Sequence, residues 1–256
     1  MLAINSRAEK RDELQFRRGE LLFGLKQFKL AELAYTQAIT VGPKSRYFEK
    51  AMTKRGWALF KQEKFQHALR AFFELADRKL KPLVGLVTVR KLSRGDKELI
   101  DDVLRVAVLS FNELGGSAAI NIFFENFGRR DYEIRVYEEL AEFYVKQKRV
   151  RDAAVTYHAF SKTFPMHEQA YEFDIKAINT YTSAGFASVL MEEKQAFVRR
   201  YRVNGAYWKE YEEQEDTILA GLKKALSKNS EDVVRHMHAQ AQKTKTSENY
   251  QRAYIL

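Results

Sequence analysis

Between Gly19 and Tyr35 the chain reads GELLFGLKQFKLAELAY. A small residue stands at Gly19, an aromatic at Phe28, an alanine at Ala31 and an aromatic at Tyr35, set among polar positions. The same offsets return at Gly56, Phe65, Ala68 and Phe72 in GWALFKQEKFQHALRAF, where the marker alanine lies 37 residues further on. In AVLSFNELGGSAAINIF, Ala107, Ala119 and Phe123 take the slots, and in AEFYVKQKRVRDAAVTY they are Ala141, Val150, Ala153 and Tyr157. Ala119 to Ala153 is a step of 34 residues, and a further step of 34 reaches Ala187, where the match is degenerate. Ala241, Tyr250 and Ala253 begin another unit that stops at Leu256.

This spacing predicts pairs of amphipathic helices, repeated along the chain. The small residue of the first helix lets the second approach closely. The marker alanine sits at the tightest crossing, where a larger side chain would force the helices apart. Aromatics fill the space between one unit and the next. No unit buries its apolar face alone, so stacking makes the core.

Composition agrees with helices. The 256 residues include only 12 glycines and 3 prolines, with 30% charged side chains. That predicts an all-α protein, since a sandwich or barrel would need many more turn residues. Hydrophobic residues make up 45% and mean hydropathy is −0.47, enough to bury a continuous core in water. No apolar run is long enough to span a membrane.

A period near 34 with these landmarks resembles the tetratricopeptide repeat (TPR) family. Pro43 lies 12 residues after Ala31 and Pro165 lies 12 after Ala153, matching that family's closing proline. The resemblance implies a right-handed α-α superhelix, a TPR-like solenoid of antiparallel helix pairs running as a single array over 1–256. Its units are expected at 12–45, 46–80, 98–131 and 132–166, with a degenerate one at 167–203. A basic and apolar insertion at 81–97, an extra helix at 204–228 and an incomplete final unit at 229–256 complete the division. Asn229 or Ser230 reads as the N-cap of that last segment, with Glu231 and Asp232 in its first turn.

The stretch AYTQAITVGPKSRYFEKAMTKRGWALFKQEKFQHALRAF resembles, more finely, envelope repeat proteins of Gram-negative bacteria. That implies a bacterial scaffold, periplasmic or associated with the cell envelope, with the cytoplasm as the alternative. The stop three residues after Ala253 is expected of a fragment of a larger repeat protein. Self-association through the incomplete terminal unit is a further expectation.

The resemblance implies a concave groove lined by first helices and holding a peptide or a partner helix. Its inward positions would be Phe23, Trp57, Phe60, Lys61, Phe111, Arg135, Glu138, Glu142 and Lys146. Phe16, Glu20, Leu104 and Val108 fall in the same series, but Phe16, Leu104 and Val108 equally suit packing against a neighbouring helix. The family's carboxylate-clamp set is not completed by Lys61 and Asn112.

The net charge of +10 leaves a second reading open. Arg78, Lys79, Lys81, Arg90, Lys91 and Arg94 flank the apolar run Leu83 to Val89, a loop that would grip nucleic acid or an anionic surface. Set against this, basic and acidic residues interleave along the helices as on a solvated surface, which makes nucleic acid the lesser candidate. Cysteine is absent, which excludes disulfides and thiolate chemistry. The five histidines form no metal-ligand spacing, and no carboxylate pair faces a cleft. An enzyme is therefore not expected, and neither a cofactor nor a metal is called for.

Overall fold

The computed structural model describes residues 2–80, 93–214 and 218–244, with side chains from Lys10 onward. Twelve α-helices and no strand occur among them. They form two compact units, Met1–Glu139 and Leu140–Leu256.

In the first unit α1 (Leu2–Gly24) pairs with α2 (Phe28–Ile39), and α3 (Phe48–Lys61) with α4 (Phe65–Leu80). Next come α5 (Arg94–Glu113), α6 (Ser117–Phe127) and the start of α7 (Glu133–Lys146). Each helix through α6 packs on the one before it, so the order along the chain is also the order in space. The second unit holds the end of α7, then α8 (Val150–Thr163), α9 (Ala170–Ser183), α10 (Ala187–Arg200) and the short α11 (Ala206–Glu210). It closes with α12 (Ala220–Thr244), which packs on α10. This is an all-α, solenoid-like succession of helix pairs.

The turn inside each pair is one motif built five times. A residue with left-handed backbone ends the first helix: Lys26 (φ 59°), Glu63 (60°), Gly115 (102°), Lys148 (59°) and Gly185 (74°). The next N–H donates to the carbonyl five residues back: Gln27 to Leu22, Lys64 to Leu59, Gly116 to Phe111, Arg149 to Tyr144 and Phe186 to Tyr181, at 2.7–3.1 Å. Carbonyls at the helix end that would lack partners are thereby satisfied, which is the Schellman closure.

Counting from this turn fixes the register that side-chain spacing alone leaves loose. The fourth residue of each second helix is Ala31, Ala68, Ile120, Ala153 or Leu190. Ala31, Ala68, Ile120 and Ala153 have no exposed surface. Ala119 and Ala187, expected as markers, are instead half-buried and exposed respectively. The connections vary in length, so a fixed step of 34 overran by one position at Ala119 and fell three short at Leu190.

The close approach predicted at the small residues is present. A Cβ added at Gly19 would lie 2.5 Å from Cε1 of Tyr35, and one at Gly56 would lie 2.6 Å from Cε2 of Phe72. Both rings are fully buried, so neither can yield cheaply. A second aromatic cluster fills the unit further on, with Phe73 5.0 Å from Phe124 and Phe111 5.7 Å from Phe123.

The expected N-cap at Asn229 or Ser230 does not occur. α12 runs unbroken through both, and Asn229 is buried with its Nδ2 donating to the carbonyl of Ala225 at 2.8 Å. An asparagine whose amide finds a carbonyl one turn back need not end a helix.

Candidate partner-binding faces

In the first unit, side chains reach from one first helix to the next. Phe23 of α1 is half-buried and meets Phe28 edge-on at 5.2 Å. Lys54 of α3 lies 5.9 Å above that ring and pairs with Glu20 at 3.2 Å. Glu20 also accepts from the Tyr35 hydroxyl at 2.8 Å, and burial together with this carboxylate pushes the phenol far up.

One unit on, Trp57 is half-buried and stands edge-on to Phe60 and Phe72, both at 5.8 Å. Arg105 of α5 sits 5.5 Å from the Trp57 ring, and Phe60 meets Phe65 at 5.5 Å. Phe23, Trp57 and Phe60 thus keep part of each ring in solvent while the fold fixes its orientation. Aromatic rings held in this way lose little freedom on binding.

The other expected groove residues divide. Lys61 is exposed at the end of α3. Phe111 has no exposed surface and belongs to the core, so its ring is not offered to a partner. Arg135 is half-buried against Glu138 (3.8 Å) and Glu139 (3.3 Å) on its own helix. In the second unit, Glu142 and Lys146 form a solvent-facing pair at 3.9 Å. Of the residues left open between groove and packing, Phe16, Leu104 and Val108 are buried.

The basic loop is only partly described, because Lys81, Arg90 and Lys91 lie outside the described residues. Its three described members are engaged within the fold. Arg78 stacks 4.7 Å from the Phe48 ring, and Arg94 pairs with Glu98 at 3.0 Å. Lys79 bridges Glu49 (2.8 Å) and Asp96 (3.2 Å), and its bond to Glu49 leads in raising its pKa.

The second unit carries a feature that the sequence reading passed over. α9 separates two clefts. The first, about 630 Å³, is floored by Val145, Val150, Tyr157 and Phe186 and edged by Lys148 and Lys176. The second, about 570 Å³, lies between α9 and α12, with Ile175 and Ile178 on one wall and Lys224 and Lys228 on the other. Lys176 and Asn179 line both. The available signal was the polar series Lys176, Asn179, Ser183 at helical spacing along α9.

The same unit buries a polar network around Asp174, which is 3% exposed. His158 Nδ1 lies 2.8 Å from Asp174 Oδ1, and Nε2 lies 2.8 Å from Glu193 Oε2. Ser161 Oγ (2.5 Å), Arg200 (3.0 Å) and the Tyr201 hydroxyl (2.8 Å) also donate to Asp174. Burial alone would lower the imidazole's pKa, but bonds to two carboxylates outweigh it and push His158 up to about 9. Asp174 is held below its ordinary value: burial opposes ionisation, and the His158 and Ser161 bonds overcome it. His158 clamps α8 to α9 and α10.

No protein-family model matches the chain, and no curated protein matches it. Among the described residues no single helix is long and apolar enough to cross a membrane, and no group of three or more acidic or histidine side chains is set to hold a metal.

Proposed function

We propose that this chain is a protein-interaction scaffold of tetratricopeptide-like helix pairs, holding a peptide or partner helix against its first helices. The observation that carries this reading is the ladder from α1 to α3 to α5. There Phe23, Trp57 and Phe60 are fixed by the core yet partly open to solvent, and Lys54 and Arg105 reach across from the neighbouring first helices. Oriented aromatics beside cations are the residue types that anchor protein partners. No catalytic step belongs to this reading. The compartment we propose is a Gram-negative cell envelope, on the resemblance of the stretch from Ala34 to Phe72 alone.

The test is a selection of binders from a random peptide library displayed against the intact chain. Trp57→Ala and Phe60→Ala should each weaken an enriched peptide by about tenfold or more while helical content holds. Binders indifferent to both substitutions would move the site elsewhere, and a library that yields no binder would remove the scaffold reading itself.

A further inference from the structure

We propose that the exposed face of the first helix pair is a docking surface for an anionic lipid membrane. Its leucines enter the boundary between headgroups and acyl chains, and its cations meet lipid phosphates. This goes beyond the scaffold reading and does not depend on it.

The apolar part of the surface is concentrated. Among the described residues eleven large hydrophobic side chains are exposed, and five of them are leucines of one helix pair. Leu14, Leu21 and Leu25 come from α1 and its turn, and Leu30 and Leu33 from α2. These five are 45–71% exposed, while the other six are spread from Ile122 to Val234. Single apolar residues are ordinary on a surface, but a cluster marks a contact with a partner or a membrane.

The leucines also share a direction. At about 100° per residue, Leu14, Leu21 and Leu25 lie within about 20° of one line along α1. Leu25 keeps the helical pattern one residue past Gly24, its N–H donating to the Leu21 carbonyl at 3.0 Å. Phe16 and Phe23 fall on the opposite side of the helix, so this stripe is separate from the face that carries Phe23 towards Lys54.

Charge names the occupant. From Lys10 to Gln37 every exposed position is a leucine, a cation, a glutamine or a glycine, and none is acidic. The four carboxylates of that stretch turn instead towards the second pair and the connection before it. Asp12 accepts from Ser45, Glu13 pairs with Arg46 at 3.2 Å, Glu20 with Lys54 at 3.2 Å and Glu32 with Lys64 at 3.1 Å. Arg17 shares Glu13 at 3.9 Å. Lys10, Arg11, Arg18, Lys26 and Lys29 form no ion pair among the described residues.

Leucines interspersed with such cations match both the negative surface potential and the apolar boundary of an anionic bilayer. A second copy set face to face would oppose like charges with no exposed carboxylate to meet them. A partner helix lays its apolar face into a groove, whereas these leucines project from the helix surface.

The experiment is co-sedimentation of the full chain with two kinds of vesicle: phosphatidylcholine alone, and phosphatidylcholine with about one-quarter phosphatidylglycerol. The chain should partition onto the anionic vesicles at least about tenfold more strongly, and less so in about 0.5 M salt. Leu21→Gln combined with Leu25→Gln should weaken that partition at least about tenfold. Arg18→Glu combined with Lys29→Glu should do the same. All four positions are exposed, so helical content and melting temperature should hold in both variants.

Equal partition onto the two kinds of vesicle, or binding that ignores the leucine pair, would overturn the inference. Failure on anionic vesicles, with a labelled acidic amphipathic peptide binding in a way that the leucine pair abolishes, would overturn it and give the face to a protein. A dimer in sedimentation equilibrium that the leucine pair abolishes would overturn it in favour of a second copy.

Discussion

At Gly56 the approach of two helices depends on a single missing methyl group. Alanine is the better helix former by about 1 kcal/mol, so Gly56→Ala would stabilise an isolated α3. Within the fold the new Cβ would lie 2.6 Å from the buried Phe72 ring, and overpacking should win. The expected net change is a loss of about 1–3 kcal/mol, read as a lower denaturation midpoint in urea. The mirror test, Gly24→Ala, meets nothing within 4 Å and should be neutral or stabilising. Gly19 and Gly56 were legible because their spacing from Tyr35 and Phe72 repeats. The network around Asp174 was not, because its members are scattered from His158 to Tyr201 and only the packing of α8, α9 and α10 unites them.

That network gives a pH dependence whose sign follows from His158. Its folded pKa of about 9 exceeds the unfolded value of 6.5. The stability it contributes is therefore complete below about pH 6.5, declines as pH rises, and is gone above about 9. Wild type should lose roughly 2–3 kcal/mol between pH 6 and 9.5 by chemical denaturation, and His158→Gln should lack that slope. Asp174, with a depressed pKa, acts at the other end. Its contribution is present above its ordinary value and is lost as pH falls through the folded one.

Within each helix pair, the turn decides the register. Lys26, Glu63 and Lys148 hold a left-handed backbone that costs a side-chain-bearing residue about 1 kcal/mol, while Gly115 and Gly185 adopt it freely. Glu63→Gly should accordingly be neutral to stabilising by up to about 1 kcal/mol, and Glu63→Val should destabilise, both measured by thermal unfolding. A glycine is the usual sequence signal for such a turn, and three of the five lack it. That is why helix pairs were legible from the alanines and aromatics while the exact slots of Ile120 and Leu190 were not. Asn229 shows the converse: its residue type suggested a helix start, but a bond to Ala225 keeps α12 continuous.

For the molecule as a whole, the all-α succession of pairs followed from composition and spacing, because helical periodicity and scarce turn residues leave few other ways to bury these faces. The division at Glu139 and Leu140 falls inside α7 and carries no local sequence mark. The candidate faces were legible where aromatics stand at the first-helix positions, at Phe23, Trp57 and Phe60. They were misread at Phe111, which has the right spacing but a core neighbour in Phe123. The clefts beside α9 escaped notice because their linings come from α7, α8, α9, α10 and α12, which only the tertiary fold brings together.

The central claim is that partners bind on the first helices, and hydrogen exchange on the intact chain with and without a library-selected peptide tests it most directly. The account predicts slower amide exchange in α1, α3 and α5, or in α9, with α2, α4 and α8 unchanged. Protection confined to those second helices would contradict it.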